Sequence, residues 1–179
     1  DNMIDSTLNR IEESNFSEDY SMQYLKGFAL LKKRHYVEAE SLFVSISDGV
    51  PTREISTGSL FLLSKSKQGQ SISERSPFLA ATMSTLVPGL GRAYCNRWGD
   101  ALFSFLTIAA TIVPSVYYWE EDPTFAISTG IIGTFFYIGN IYGSALGALN
   151  YNDNSHKTFY RMTSQGVPYP PESINTRLE

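Results

Sequence analysis

The sequence predicts an all-α protein in two halves, a soluble helical segment followed by an interfacial helix and a two-helix transmembrane hairpin. Three observations lead there. No residue from 101 to 119 carries a charge, and none from 124 to 152 does either. At 1.5 Å rise per residue such runs reach roughly 28 Å and about 40 Å as helices, enough for a bilayer core of about 30 Å. Residues 1–67, by contrast, are polar with apolar positions at helical spacing. Within the second half, after the interfacial helix, stands Pro88-Gly89-Leu90-Gly91-Arg92-Ala93-Tyr94, a break rich in helix-stopping residues.

The 179 residues suit one or two small domains, and the mean hydropathy of -0.14 only averages a polar half with an apolar one. Net charge is -4 and the 14 basic residues are scattered, so no basic stripe exists to hold a phosphate backbone, and nucleic acid is not an expected partner. A single cysteine, Cys95, rules out an internal disulfide and a thiolate zinc site. No cofactor is implied. The chain opens on Asp1 with no basic-then-apolar leader, so a removed signal segment and a fragment are both open.

Ile4, Leu8 and Ile11 predict a short amphipathic helix over 3–14. A second helix, 18–33, carries Tyr20, Tyr24, Leu25, Phe28 and Leu31. After a turn at Arg34-His35-Tyr36 a third runs over 37–46 with Ala39, Leu42, Phe43 and Ile46 inward. Asp48-Gly49-Val50-Pro51 stops it, because neither Gly nor Pro continues a helix cheaply. A fourth helix is expected over 52–67, with Leu60, Phe61 and Leu63 facing inward.

These residues resemble a tetratricopeptide repeat, the 34-residue helix pair. With Tyr20 as the first position, Gly27 falls at position 8, Ala39 at 20, Phe43 at 24 and Pro51 at 32, where the family favours Gly, Ala, a large apolar residue and Pro. Gln23 and Lys26 depart from it, standing where the family has bulky apolar groups. The resemblance implies a partner-binding repeat built on Tyr20, Tyr24, Gly27, Ala39 and Phe43. One repeat with flanking halves buries little apolar surface, so the segment is expected to need upstream repeats, docking onto the hairpin, or a partner.

Residues 68–77 are polar, with Gly and Ser, and read as a linker. Residues 78–98 form an interfacial or re-entrant helix with the Pro-Gly-x-Gly break, since ten apolar residues cannot span a bilayer. Arg92, Tyr94, Arg97, Trp98 and Asp100 are the basic, aromatic and acidic mixture that anchors a helix at headgroup level. In the hairpin, 99–152, the first crossing carries Pro114, expected to kink it, and ends on Tyr117, Tyr118 and Trp119. Glu120, Glu121 and Asp122 mark a solvated tip. The second crossing, 124–149, places Gly139, Gly143 and Gly147 four residues apart, a flat groove that predicts close helix packing, between the crossings or in a homo-oligomer. Asn140 inside it calls for an interhelical hydrogen bond. Residues 153–179, with His156, Lys157 and Arg161, are expected to be a polar tail ending in an extended proline-rich stretch. Basic flanks and an acidic tip would place both ends in the cytoplasm, an orientation that a cleaved secretion signal would reverse.

The pattern Pro88-Gly-x-Gly-x-x-Tyr94-x-x-Arg97-x-x-Asp100-Ala101, with Gly139-Asn140-x-Tyr142-Gly143 near the end of the aromatic-rich hairpin, resembles a small bacterial membrane domain of the PGxGxxYxGRxxDA type. That domain occurs behind tetratricopeptide-like segments and fused to or alongside the membrane-insertion efficiency factor YidD. The likeness covers residues 76–151. It departs at Asn96, where the group often has Gly, and no YidD-like segment is present. It implies a bacterial inner-membrane or envelope location and a non-enzymatic part in membrane biogenesis.

Arg92, Arg97 and Asp100 are either an ionic cluster gripping lipid phosphate or a partner's charge, or an interfacial cap in which Arg97 and Asp100 pair. Asn140 is packing glue or part of a polar path. Cys95 with His35 or His156 has neither an orienting motif nor metal-ligand spacing, and catalysis is not expected; S-acylation of an interfacial Cys95 stays open. A soluble core could hide two apolar helices, but aromatic edges on both runs argue for a bilayer. The expected function is a membrane-anchored scaffold or accessory subunit that binds a protein partner through its helical repeats. The alternative is a pore or transporter component in which oligomerised hairpins line a path with Asn140, Thr107, Thr111 and Ser115.

Overall fold

The computed structural model describes residues 20–49 and 53–168, and all regular structure among them is helical. The helices are α1 (Tyr20–Lys32), α2 (Tyr36–Gly49), α3 (Arg53–Gln70), α4 (Pro77–Leu86), α5 (Leu90–Tyr94), α6 (Trp98–Tyr117) and α7 (Pro123–Gly166). The helix expected over 3–14, Pro51 of the repeat pattern and the prolines at 170 and 171 lie outside the described residues. The chain divides into two compact units, Asp1–Ile72 with Ser155–Glu179, and Ser73–Asn154.

In the first unit Tyr24, Phe28 and Leu31 lie on one face of α1, at the spacing a helix requires, and are buried. The helix ends where Arg34 takes a left-handed conformation (φ 69°). The Arg34 amide then donates to the Leu31 carbonyl at 3.1 Å and the His35 amide to Leu30 at 3.0 Å, which satisfies two of the last carbonyls. Tyr36, Ala39, Phe43 and Ile46 are the buried face of α2. Gly27 lets that face come close: a Cβ at 27 would stand 2.6 Å from the Phe43 ring. Gly58 of α3 does the same for Tyr24, whose hydroxyl would lie 2.6 Å from an added Cβ.

The expected polar tail is a correction. Residues 155–166 continue α7 as helix, and their apolar stripe closes the core of this unit. Phe159 packs edge-on against Tyr36 with ring centroids 5.9 Å apart, Tyr160 does so against Phe28 at 5.8 Å, and Val167 is buried among them. Charges at Lys157 and Arg161 obscure that stripe in the sequence, because they fall between its members. The neighbour that the short helical segment needed is therefore supplied by its own chain. The linker is shorter than expected for a similar reason: α3 runs on to Gln70, with Gly69 packed under the Tyr36 ring.

In the second unit α4 starts on Ser76, whose hydroxyl accepts from the Leu79 amide at 3.2 Å, followed by Pro77 in the first turn. Gly89 is left-handed (φ 88°) and begins the short α5, which the sequence did not announce. Asn96 also sits at positive φ (63°), a conformation that Gly tolerates best and Asn next best among common residues. The helix α6 continues through Pro114 to Tyr117. Asp122 then caps α7, its carboxylate accepting from the Phe125 amide at 3.0 Å. Residues on α6 and α7 meet in antiparallel register: Ser115 lies against Gly130, and Thr111 and Ile112 against Gly133.

Both α6 and α7 are long and apolar enough to cross a membrane. Only 17% of the apolar stretch of each is buried within the protein. Phe103, Val116 and Phe135 are each at least 70% exposed, so among the described residues neither helix is a covered core element.

Candidate functional site

The site of the second unit is built around the break after α4. A helix C-terminus leaves carbonyls without intrahelical donors, and here side chains of α7 supply them. Asn140, 3% exposed, donates from Nδ2 to the Ser84 carbonyl at 3.4 Å and accepts at Oδ1 from the Gly89 amide at 3.2 Å. Tyr137 donates its hydroxyl to the Thr85 carbonyl at 2.6 Å. Ser144 donates to the Asn140 carbonyl at 2.8 Å and lies 2.7 Å from the Ser84 hydroxyl. The Ser144 proton being spent, Ser84 is the donor to it, and Ser84 in turn accepts from the Gly91 amide at 2.9 Å. Four polar side chains thus fasten α7 to the turn.

A second tie lies beside it. The Arg75 amide donates to Asn152 Oδ1 at 2.7 Å, and Asn152 Nδ2 donates back to the Arg75 carbonyl at 2.9 Å. The Arg75 guanidinium stacks on the rings of Tyr94 (4.9 Å) and Tyr151 (5.3 Å). Tyr94, expected at the membrane interface, is therefore engaged internally, and its hydroxyl also accepts from the Ser76 amide at 3.2 Å. Trp98 is 69% exposed. Arg97 donates from Nε to Asp100 at 2.6 Å, so these two pair with each other. Arg92 joins neither of them. Its Nε is buried without a hydrogen-bond partner among the described residues, and its guanidinium covers Gly143, where a Cβ would lie 2.5 Å from Nη2.

The glycine row is accordingly divided rather than a single packing groove. Gly143 receives Arg92; Gly147 lies in ordinary contact distance of Arg97 and Cys95; an added Cβ at Gly139 meets no atom within 4 Å. The close approach of α6 and α7 falls instead at Gly130 and Gly133, where an added Cβ would lie 2.7 Å from side chains of α6. A four-residue spacing defines a face of α7 but not the element that fills it.

Gly139 opens onto a cleft of about 320 Å³ between α6 and α7. Arg92 and Asp100 stand at one end, Ser104, Thr107 and Asn140 along it, and Phe103, Ile108, Phe135 and Phe136 complete its walls. The volume falls within the roughly 300–1,000 Å³ of small-molecule sites. On the other positions, Cys95 is 2% exposed, and burial pushes its thiol above the ordinary cysteine range while Arg75 and Arg97 pull the other way. His35 lies 3.2 Å from Glu38, and His156 is 2.8 Å from the Tyr36 hydroxyl.

The residues assigned to partner binding need a correction. Tyr24, Ala39 and Phe43 have no exposed surface, and Gly27 is buried under Phe43, so these build the core of the first unit and cannot touch a partner; Tyr20 is half-buried. Their apolar spacing marked a buried face correctly, but that face is already covered. Sequence reasoning missed Arg75, Ser84, Ser144 and Asn152. A serine in each of two apolar helical runs was the available signal for Ser84 and Ser144.

Fold and site together define an all-helical protein with two helices of membrane-crossing length, one of which, α7, is tied to a broken helix by a buried polar network. No family model matches the chain, and no curated protein or solved structure does either.

Proposed function

We propose that this protein is a non-enzymatic scaffold or accessory subunit of a bacterial inner-membrane complex, fixed in the bilayer by α6 and α7 and presenting the first helical unit to a protein partner. The observation that carries the proposal is the inverted surface of the second unit. Its polar side chains Ser84, Asn140 and Ser144 are buried and bonded to one another or to backbone, while large apolar residues face outward. Soluble monomers rarely expose contiguous apolar patches beyond a few hundred Å², whereas lipid accepts them. A buried thiol held protonated at Cys95 supports a role without nucleophilic chemistry.

The partner surface moves to the outer side of α2, where Val37 and Val44 are 67% and 40% exposed on one face. Of the residues assigned to the pore alternative, Thr111 and Ser115 donate to main-chain carbonyls and Asn140 holds the turn, which leaves Thr107 as the one of the four with an unengaged hydroxyl among the described residues. The test is purification of the tagged chain from native membranes in mild detergent, with mass spectrometry of bound proteins. A stoichiometric partner lost in the Val37→Asp/Val44→Asp double variant is expected. Recovery of a symmetric homo-oligomer alone would overturn the scaffold.

A further inference from the structure

We propose that the cleft between α6 and α7 is a binding site for one anionic phospholipid, its phosphate held by Arg92 and an acyl chain laid along Phe103, Ile108, Phe135 and Phe136. The inference rests on the bilayer placement of α6 and α7 and goes beyond the scaffold function. Arg92 pairs with no carboxylate among the described residues. The adjacent carboxylate, Asp100, is taken by Arg97, while Arg92 Nε is buried with no partner among the described residues. A guanidinium in that state favours a ligand oxygen, and phosphate suits its planar array of donors.

The lining then changes character along the cleft. From the Arg92 and Asp100 end come the hydroxyls of Ser104 and Thr107, neither of which makes a hydrogen bond among the described residues, and then Ile108 and Phe135 deeper along the helices. A phosphate, a glycerol-ester region and a hydrocarbon chain follow the same order. Gly139 matters for what it omits. Because an added Cβ there meets no protein atom within 4 Å, its missing side chain leaves the cleft open instead of permitting a close helix contact. A larger residue at 139 fills the ligand's space while disturbing little of the fold, and a helix interior favours Leu over Gly.

The test uses the full chain purified in nonionic detergent and presented with equal amounts of phosphatidylglycerol and phosphatidylcholine in mixed micelles, with retained lipid counted by native mass spectrometry. One phosphatidylglycerol per chain is expected, preferred about tenfold over phosphatidylcholine, whose choline ammonium offsets the phosphate charge that faces Arg92. Phosphatidylcholine carries the same phosphate, so the preference reports net anionic charge at Arg92. Arg92→Gln should bring the two lipids to parity and Arg92→Lys should keep the preference. Gly139→Leu should abolish retention of both with the helical spectrum and melting transition unchanged. An unaltered preference in Arg92→Gln, or undiminished retention in a folded Gly139→Leu, overturns the site. So does binding of excess inorganic phosphate by a chain that retains no lipid. Alkaline carbonate extraction of the source membranes separates the two levels: a chain that stays in the pellet but holds no lipid refutes only this site, and a chain released to the supernatant refutes the bilayer placement and the site together.

Discussion

The Tyr36 hydroxyl and His156 Nδ1 lie 2.8 Å apart in a buried hydrogen bond that joins positions 120 residues apart, and their rings stack at 5.8 Å. Through this pair, and through Phe159 and Tyr160 beside it, the last turns of α7 become part of the first helical unit. Removing residues 155–179 should therefore uncover Phe28 and Tyr36 and make the 20–70 helices sensitive to protease. Limited proteolysis of the full and shortened chains in the same detergent checks this, and equal resistance would refute it. Tyr36→Phe alone should cost about 1 kcal/mol, the net worth of one buried hydrogen bond.

Gly27 and Phe43 form a matched pair, and an alanine methyl at 27 would be forced into the Phe43 ring. Gly27→Ala should destabilise the first unit by about 1–3 kcal/mol despite the better helix propensity of alanine. Shrinking the ring in Gly27→Ala/Phe43→Leu should recover part of that loss. Denaturant unfolding of the four members of the cycle measures the coupling, and strict additivity would show that the pair does not interact.

Asn140→Leu removes the acceptor for the Gly89 amide and the donor to the Ser84 carbonyl in one step. The expected loss is about 1–2 kcal/mol, the range of interhelical polar bonds in membranes. Asn140→Ser, which cannot span both partners, should fall between the two. Thermal unfolding in detergent reads the order; an Asn140→Leu protein as stable as the parent would mean that the turn holds its shape without α7.

The fold alters the protonation of Cys95. Burial raises the thiol above its ordinary range, so at neutral pH it stays protonated and covered in the folded chain. Maleimide labelling should be about tenfold or more slower in the folded than in the unfolded protein, since the thiolate is the nucleophile. A thiol whose folded pKa lies above the unfolded one contributes its full stability below the unfolded value and loses it as pH rises through the folded value. Stability should therefore decline in mildly alkaline solution and be restored there by Cys95→Ser. Rapid labelling at neutral pH would show the site to be open.

Much of the architecture was legible in residue order alone. Two charge-free runs, the Pro88-Gly89 stop and the apolar spacing of Tyr24, Phe28 and Leu31 depend on local chemistry, and local chemistry fixes helices. Asn140 could be singled out as a buried amide seeking a partner, because an unpaired one in an apolar helix is costly whatever surrounds it. The partners themselves were not legible. Spacing says which residues share a face, and only tertiary packing says what meets that face. Hence Gly139, Gly143 and Gly147 look equivalent in sequence, yet one lines an open cleft, one carries Arg92 and one lies near Cys95. The same limit made Tyr24 and Phe43 resemble a docking surface until residues 155–166 were seen to cover their neighbours Phe28 and Tyr36, through contacts too distant along the chain for any local pattern to register.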